Sequence, residues 1–518
     1  MTDAHLWTGG RVFTGRRYVE ALLVEDGRVV AAGPRDRVLA QAATGTDRTD
    51  LAGALLIPGL IDAHLHLSEL ARHRIGLDVS AVTTEDELVD RLTAWAAEHP
   101  SGPIAGHGWD PEGWTGHRWV DRTVVDRAIR DRPVVLEHGS GHAALLNSLA
   151  LDSVGLDPAR PAPRDPTIGC GGDGRPNGLL FEEALRPVRP LIDAALPIGP
   201  AELSRTLFEL AGWGLTMVAS MGPPPSEPPA LRDLATAGPL PVSVRLYLRA
   251  ARRGGFRPGP LGAPDSRCSV VGIKEFMDGA FGTRTAWLSA PYADSPATSG
   301  VPVGDDAELS AVLEETSREG WAPALHAIGD RAVARALRLL RPTRGRTLAP
   351  GRIEHASLTP MELMADLAEV RPTLVVQPGF VASDHWLGAR LGPARARWAY
   401  AFRTLTSRGL LLAGSSDAPF DPVDPWHGIR VAVHRRNETG GSANPSGAEV
   451  LSIEEAVGLY TSGAAAALGE PDRGRLEPGA IADLTVLSVP DLAAALSARA
   501  NPVRATWVEG RPVAGAGR

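Results

Sequence analysis

The segment IPGLIDAHLHL, residues 57–67, joins an apolar run to two histidines separated by one residue. The run Leu56–Ala63 predicts a buried β-strand with His64 and His66 at its carboxyl end. Side chains alternate along a strand, so both imidazoles would point to the same side. Two imidazoles on one face can chelate a single metal ion. By itself, the pattern also fits two unrelated histidines, or a helix in which these side chains diverge.

The middle of the chain repeats an order of short apolar strand, loop and amphipathic helix. Helices are predicted at 306–319, 331–340 and 360–370, where apolar residues recur at helical spacing. Eight strands are predicted at Leu56–Ala63, Leu215–Ser220, Val242–Leu248, Val270–Phe276, Ala322–Ala327, Arg352–Ala356, Thr373–Gln377 and Leu410–Ser415. Eight strands with intervening helices predict an α/β fold built on a parallel (β/α)8 barrel of the TIM type.

Both ends of the chain are rich in short β-type runs with tight turns. Asp26-Gly27 separates two such runs near the start, and Glu509-Gly510 lies in a similar turn near the end. Chain termini often lie close together, so we expect one small β domain built from both ends.

These features divide the chain into a terminal β domain, 1–56 and 476–518, and a barrel domain, 57–475. The long gap between the first two barrel strands requires an insertion at about 68–200. A stretch rich in proline and glycine within it, Pro158–Gly178, is expected to be a loop. We therefore predict a barrel with an inserted subdomain after its first strand.

The composition limits the classes of partner. The 518-residue chain has a formal net charge of −8, so it lacks the basic footprint of a nucleic-acid-binding protein. No apolar stretch is long enough to span a membrane and no leader pattern is visible, so we expect a cytoplasmic protein. Cys170 and Cys268 show no metal or redox spacing. These features favour a small-molecule substrate and leave open whether the chain forms a homo-oligomer.

Lysine and arginine together number 53, and Lys274 is the only lysine. A surface cation can be either residue, but a site that needs a deprotonatable amine cannot use arginine. The single lysine therefore points either to amine chemistry or to chance.

Further candidate groups stand where predicted barrel strands pass into loops. Lys274 lies on the fourth strand, His326 ends the fifth, His355 ends the sixth, and Asp417 follows the eighth. Barrel enzymes place their catalytic groups at these carboxyl ends. One such histidine is more often structural than a ligand. With the two histidines of the first strand, however, suitable groups occur on five strands, which favours a metal site.

A lysine can serve such a site in more than one way. A buried lysine near cations loses its proton easily, and the neutral amine can combine with CO2 to give a carbamate. The carbamate is an anionic donor with two oxygens and can bridge two metal ions. A Schiff-base lysine is the competing interpretation, and the nearby histidines favour the metal role for Lys274.

Segments spread along nearly the whole chain match those of a known family. They are PGLIDAHLH at 58–66, GWDPEGW at 108–114, GHAALLNSLAL at 141–151, GLLFEEA at 178–184, IKEFMDGAFGTRTAWLSAPYAD at 273–294, LHAIGDRAV at 325–333, RIEHAS at 352–357, AGSSDAP at 413–419 and EPGAIADLTVL at 477–487. In these segments the chain resembles the amidohydrolase superfamily, and within it the YtcJ-like group that includes N-substituted formamide deformylases. The segments at 273–294 and 325–333 are rather specific to this group.

The resemblance implies a β-sandwich built from both termini, a (β/α)8 barrel and an inserted subdomain. It also implies a divalent metal centre, commonly zinc, with one or two ions. The implied ligands are those at the strand ends, namely His64 and His66 for one ion, His326 and His355 for the other, a carboxylated Lys274 as the bridge, and Asp417. Asp417 would also be the catalytic residue, as a proton shuttle.

The resemblance is incomplete at two positions. Ser220 stands where members often carry an acid, and Gly379 stands where they often carry histidine. Both lie outside the implied ligands, so they bear on substrate preference. The candidate substrate contacts, three from the insertion and one from the loop after the fourth strand, are Trp109, His142, Glu182 and Asp278.

The predicted function is hydrolysis of a non-peptide C–N bond of the amide type, N-substituted formamides included, by a metal-activated hydroxide. Alternatives in the same superfamily are a cyclic-amide hydrolase and a deaminase, although the lysine argues against the usual mononuclear deaminase pattern. An alternative of another class is a metal-binding homologue without catalysis. The intact ligand set, with Asp417 present, argues against it.

Overall fold

The computed structural model describes residues 4–111, 114, 119–263, 266–343, 345, 347, 349–436 and 447–515. Glu112 and Gly113 of the segment 108–114 lie outside the described residues, as do the ends of the predicted terminal β domain, 1–3 and 516–518. Ser68–Gly199 form one compact unit, and the remainder of the described chain forms the other. None of the described helices has the length and apolar character that crossing a bilayer requires.

The unit outside Ser68–Gly199 contains the parallel barrel that the sequence predicted. Its eight strands are Leu60–Leu65, Leu215–Met221, Ser243–Leu248, Cys268–Phe276, Ala322–Ala327, Arg352–His355, Thr373–Val376 and Leu412–Gly414. Each strand pairs in parallel with the next in chain order. A short strand, Gly259–Pro260, adds an antiparallel pairing to the fourth. All carboxyl ends therefore meet at one end of the barrel.

The ring closes where the loop after the eighth strand meets the first strand. The Asp417 amide donates to the His64 carbonyl, and the His66 amide donates to the Ala418 carbonyl, each at 2.8 Å. The buried Asp62 carboxylate reinforces this junction, because it accepts hydrogen bonds from the amide and the hydroxyl of Ser416. We name this set of contacts the barrel seam.

Helices alternate with the barrel strands along the chain. Their apolar residues recur on one face of each helix, and this face packs on the barrel. The α-helices of this unit are Arg35–Leu39, Pro200–Gly212, Glu227–Ala237, Asp306–Arg318, Asp330–Leu340, Met364–Val370, Phe380–Ser383, Leu387–Leu391, Pro393–Ala396, Phe402–Ser407, Pro425–His434, Ile453–Gly458, Ala464–Ala467 and Leu492–Ser497. Shorter helical turns lie at Ala250–Arg252, Arg341–Thr343, Met361–Leu363, Gly447–Glu449 and Leu459–Gly463. The three helices predicted from periodicity are all present, the last as a 3-10 turn that continues into an α-helix.

The first barrel strand begins at Leu60 and not at the predicted Leu56. Leu55–Pro58 form a separate strand, which pairs antiparallel with Leu484–Leu487 of the terminal β domain. The division falls at Gly59, where a Cβ would lie only 2.4 Å from the Thr216 side chain. One continuous apolar run thus serves two sheets, which hydrophobicity alone does not reveal.

Both termini contribute to a β-sandwich, as predicted. One sheet has the strand order Arg28–Gly33, Ala21–Glu25, Ala4–Thr8, Asp47–Asp50. The other has the order Arg511–Ala514, Val503–Val508, Leu484–Leu487, Leu55–Pro58, Arg11–Phe13, Tyr18–Val19. Buried side chains of both sheets form one apolar cluster, in which the rings of Trp7 and Trp507 meet edge to face at 5.1 Å.

The unit Ser68–Gly199 has a sheet and an apolar core of its own. The strand order is Ile168–Cys170, Pro176–Phe181, Ala143–Leu146, Val134–His138, Ile104–Trp109, Leu77–Asp78. The helices of this part of the chain are Leu67–Ile75, Glu85–Glu98, Arg122–Ala128, Ser148–Ser153 and Arg189–Ala195, with a 3-10 helix at Glu182–Val188.

The prediction of a loop over Pro158–Gly178 is wrong in part. Ile168–Cys170 pairs antiparallel with Pro176–Phe181, so this stretch contains a hairpin. The Gly171 amide donates to the Arg175 carbonyl, which closes the turn. The glycines mark the tip of the hairpin correctly, but a three-residue strand is too short to show a periodic pattern.

A buried ion pair on the sixth strand spans the barrel interior. Arg352 donates to both carboxylate oxygens of Glu354, at 2.6 and 2.9 Å. The same guanidinium donates to the Ala63 carbonyl of the first strand at 2.6 Å and lies over the ring of Tyr247 on the third. The first and sixth strands are not neighbours in the barrel, so the pair ties together strands that share no ladder.

We expect Arg352→Met to destabilise the protein, because it leaves the Glu354 carboxylate buried without its counter-charge. Removing one partner of a buried pair typically costs about 3–5 kcal/mol. The double variant R352M/E354Q removes both charges and should lose less stability. Denaturant unfolding followed by tryptophan fluorescence would measure both, with Arg338→Met as a matched change in an exposed pair with Asp306. A single variant as stable as the double one would contradict this expectation.

Candidate metal centre

Side chains from the first, sixth and eighth strands converge at the carboxyl end of the barrel. The Oδ1 atom of Asp417 lies 3.1 Å from Nε2 of His64 and 3.2 Å from Nε2 of His66. One ligand atom from each of His64, His355 and Asp417 lies within 4.8 Å of the others, and all three side chains are buried. The barrel seam produces this convergence, because it anchors the backbone of Asp417 to that of His64.

The two remaining predicted ligands join the same cluster. Lys274 Nζ lies 3.5 Å from Nε2 of His64, and only 1% of the lysine is exposed. Burial lowers the pKa of Lys274 to about 8, although the carboxylates of Glu354 and Asp417 oppose the shift. The ring of His326 lies 4.4 Å from that of His355. All six side chains predicted as ligands are therefore gathered at one end of the barrel.

Partners behind the histidines fix which ring nitrogen faces the cluster. Glu354 Oε2 lies 2.6 Å from Nδ1 of His64, so this nitrogen carries the proton and Nε2 faces Asp417. The Gly279 carbonyl lies 3.1 Å from Nε2 of His326, which assigns the proton to Nε2 and the lone pair to Nδ1 of that ring. Hydrogen bonds of this kind orient metal-binding imidazoles and raise their basicity.

His355 is held in a similar way by the residue that follows the seventh strand. Gln377 Oε1 lies 2.8 Å from Nδ1 of His355, and the amide group of Gln377 donates to Ser415 at 2.9 Å. Because the amide nitrogen of Gln377 is occupied by Ser415, the oxygen must face the imidazole. Burial lowers the pKa of His355 to about 3, so the ring is neutral and able to bind a cation.

The sequence interpretation missed Glu354 and Gln377. Both stand within predicted strands, where a polar residue that faces the barrel interior was the only available signal. Alternation along the sixth strand places Arg352 and Glu354 on one face, which a charged pair in a buried strand could have indicated.

The contacts of Asp417 fit a cation. Its Oδ1 atom accepts no hydrogen bond from the described residues, although two imidazole nitrogens lie within 3.2 Å. An unprotonated ring nitrogen and a carboxylate oxygen repel each other unless a positive charge stands between them. A proton could bridge only one of these contacts, whereas a metal ion accepts several imidazole and carboxylate donors at once. Donor type and mutual distance therefore both suit a divalent metal.

The backbone is strained at two of these positions. His355 has φ of +73° and Asp417 has φ of +60°, values that non-glycine residues rarely adopt. The strain at His355 has a visible result, since Glu354 and His355 are consecutive yet both contact His64. Regular alternation would have sent them to opposite faces. Such conformations cost of order 1–3 kcal/mol each and cluster at functional sites.

The predicted substrate contacts occupy different environments. Asp278 is fully buried, and its carboxylate accepts hydrogen bonds from the amides of Trp287, Ile328 and Gly329, so it joins the loops after the fourth and fifth strands. Trp109 is buried in the apolar core of the Ser68–Gly199 unit.

His142 and Glu182, in the same unit, form a partly exposed pair with 3.0 Å between Nδ1 and Oε2. Ser220, by contrast, is buried, and its hydroxyl donates to Glu227 Oε1 at 2.6 Å. A carboxylate therefore lies beside Ser220, supplied by a helix and not by the strand itself.

Comparisons with known proteins agree with this architecture. The amidohydrolase family matches residues 48–514. The chain is 33% identical to YtcJ of Bacillus subtilis strain 168, which is named as an amidohydrolase, over 93% of this chain and 94% of that protein. It is 25% identical to the N-substituted formamide deformylase of Arthrobacter pascens, over 90% of each chain.

A solved structure supports the same assignment. An uncharacterized metal-dependent hydrolase from Pyrococcus horikoshii OT3 superposes with a TM-score of 0.77 and 28% identity, over 96% of this chain and 99% of that one. The family match covers the barrel and the part of the sandwich from residue 48 onward, together with the loops that carry the histidine and aspartate cluster. The chain therefore belongs to the amidohydrolase family and is a metal-dependent hydrolase of carbon–nitrogen bonds.

Proposed function

We propose that this hydrolase cleaves a non-peptide amide-type bond and that N-substituted formamides are among its substrates. The observation that carries the metal-dependent chemistry is the position of Asp417 Oδ1 between the imidazoles of His64 and His66. The similarity to an N-substituted formamide deformylase over 90% of the chain supports the substrate class.

We assign the six predicted ligands to two metal ions. His64 and His66 would hold one zinc ion together with Asp417, and His326 and His355 would hold a second. Lys274 would bridge them as a carbamate, formed when its neutral amine adds CO2 and releases a proton. The burial of Lys274 and its 3.5 Å approach to His64 support this assignment. When bound, the ions supply a Lewis acid and lower the pKa of water at the site.

We assign the transfer of the proton to Asp417. Its carboxylate would accept a proton from the attacking water and donate it to the leaving nitrogen, two steps that follow each other and need one group only. Without a metal ion, protonated imidazoles of His64 and His66 would outweigh the effect of burial and hold the pKa of Asp417 well below its usual value. A bound cation would act in the same direction, so the group starts as the carboxylate. Glu354 keeps His64 oriented toward Asp417 throughout.

The four predicted substrate contacts stay predictions. His142 and Glu182 form a pair with 3.0 Å between Nδ1 and Oε2, and Trp109 and Asp278 are buried.

The proposal predicts a metal-dependent amidase activity. Dialysis against a chelator should abolish hydrolysis, and added zinc should restore it, because the ligands lose their Lewis acid and regain it. A panel of N-alkylformamides, acyl amides and cyclic imides, assayed for amine release, would identify the bond cleaved. Full activity in metal-free protein, or turnover of cyclic imides alone, would contradict the proposal.

Asp417→Asn should retain zinc but lower kcat by about a hundredfold or more, because the amide cannot accept the proton of the attacking water. Zinc content and kcat should be measured on the same preparation. Asp366→Asn, the same change at an exposed position that pairs with Arg341, is the matched control and should leave both values unchanged. Undiminished turnover in the Asp417 variant would remove the proton-carrying role.

Lys274→Ala should lose metal or activity, and acetate or propionate should restore part of it by occupying the place of the carbamate. Lys274→Arg is the matched control, since arginine keeps the positive charge but cannot form a carbamate, and it should not be rescued. Zinc content and amine release with increasing acetate would follow the effect. A Lys274→Ala variant with full zinc and full rate would refute the bridge.

A further inference from the structure

One buried carboxylate joins the loop after the fourth barrel strand to the loop after the fifth. It belongs to Asp278, which is fully buried. Its Oδ2 atom accepts hydrogen bonds from the amides of Trp287 and Gly329, each at 2.8 Å, and its Oδ1 atom accepts one from the Ile328 amide at 3.0 Å. Trp287 lies in the first of these loops, whereas Ile328 and Gly329 lie in the second. The carboxylate therefore holds the two loops together through their backbones.

The residue next to Asp278 contacts a proposed metal ligand. The Gly279 carbonyl lies 3.1 Å from Nε2 of His326, within hydrogen-bond range. The Oδ1 atom of Asp278 lies 3.7 Å from the same nitrogen, which is too far for a hydrogen bond. The proton on Nε2 is therefore directed at the carbonyl of Gly279 and not at the carboxylate. Asp278 can act on this imidazole only through the backbone that it anchors.

Two aromatic neighbours of His326 do not orient its ring in this way. The ring of Phe276 lies 4.9 Å from it and the ring of His355 lies 4.4 Å from it. Ring contacts fill space around an imidazole, whereas a hydrogen bond to one nitrogen selects which nitrogen faces a metal. The Gly279 carbonyl therefore supplies a direction that these contacts do not.

Glycine at position 329 allows the two loops to approach each other. A Cβ at this position would lie 2.1 Å from the Trp287 carbonyl oxygen and 2.8 Å from the Trp287 amide nitrogen. The backbone of Gly329 has φ of −74°, which any residue can adopt, so conformation does not require glycine here. The missing side chain instead lets the amides of Trp287 and Gly329 share one oxygen of Asp278.

We propose that Asp278 is a positioning residue for the metal centre, because it holds the Gly279 carbonyl against His326 and so keeps this imidazole aimed at its ion. The inference rests on the proposed function, which assigns His326 and His355 to one of two zinc ions. Hydrogen-bond partners behind a metal ligand typically contribute about ten- to a hundredfold to metal affinity. In this role Asp278 need not touch the substrate, although the sequence predicted such a contact.

Zinc binding to Asp278→Asn tests the proposal without an assay of turnover. Asparagine keeps the size of the side chain but turns an NH2 group toward backbone amides that need an acceptor, so the junction of the loops should loosen. We expect two zinc ions in the unmodified protein and an affinity about ten- to a hundredfold weaker for one of them in the variant. Titration of metal-free protein with zinc in competition with a chromophoric chelator measures both affinities.

Two further variants separate orientation of the ligand from a general loss of stability. Asp483→Asn is the matched control, because Asp483 is also buried and accepts from the Glu509 amide, but lies in the terminal β domain. It should lower the free energy of unfolding and leave both zinc affinities unchanged. His326→Asn should weaken the same ion as Asp278→Asn, and combining the two changes should weaken zinc binding no further.

Gly329→Ala provides a second route that leaves Asp278 in place. Its methyl group should displace Trp287, part the two loops and weaken the same zinc ion. Gly388→Ala, in a helix where a Cβ meets nothing within 4 Å, is the matched control and should have no effect.

Three results would overturn the proposal. Unchanged zinc affinities in Asp278→Asn would remove the positioning role and leave the proposed function intact. Equal weakening of both ions would show a general effect on the centre and not an effect through His326. Binding of fewer than two zinc ions by the unmodified protein would contradict the ligand assignment itself, and this inference with it.

Discussion

His64 lies between two carboxylates, and these two contacts connect three separate parts of the barrel. Its Nδ1 atom meets Glu354 at 2.6 Å and its Nε2 atom meets Asp417 at 3.1 Å. Glu354 comes from the sixth strand, which is not a neighbour of the first, and is itself held by Arg352. Three separate elements must therefore be in register before this one imidazole is satisfied. In a low-dielectric interior, a partly satisfied network of this kind would be costly.

The sequence could predict those residues of the site that stand at the ends of apolar strands. The candidate ligands stand at the ends of apolar strands, and a parallel barrel brings all such ends together. The strand order alone therefore places His64, His326 and His355 near one another. The strand order does not reveal Glu354 and Gln377. Each acts through a hydrogen bond to a histidine on another strand, His64 for Glu354 and His355 for Gln377.

The fold was predictable to a similar degree and for the same reason. Eight strands were visible as apolar runs, but the run from Leu56 to Ala63 is divided between two sheets at Gly59. The hairpin at Ile168–Cys170 was hidden because its pairing depends on Pro176–Phe181 more than on its own composition. Membership of a sheet is a relation between segments, whereas hydrophobic periodicity is a property of one segment.

The barrel seam has a thermodynamic consequence. The hydrogen bonds that close the ring join the backbone of His64 to that of Asp417, and the backbone of His66 to that of Ala418. The residues that would bind an ion therefore also connect the loop after the last strand to the first strand. Anything that binds only the folded state stabilises it, by about 2.7 kcal/mol when its concentration is a hundred times the dissociation constant. A metal ion held by these residues would therefore also stabilise the closure of the barrel. Selection for new substrates is then confined to the loops, since these ligands cannot shift without loosening the ring that carries them.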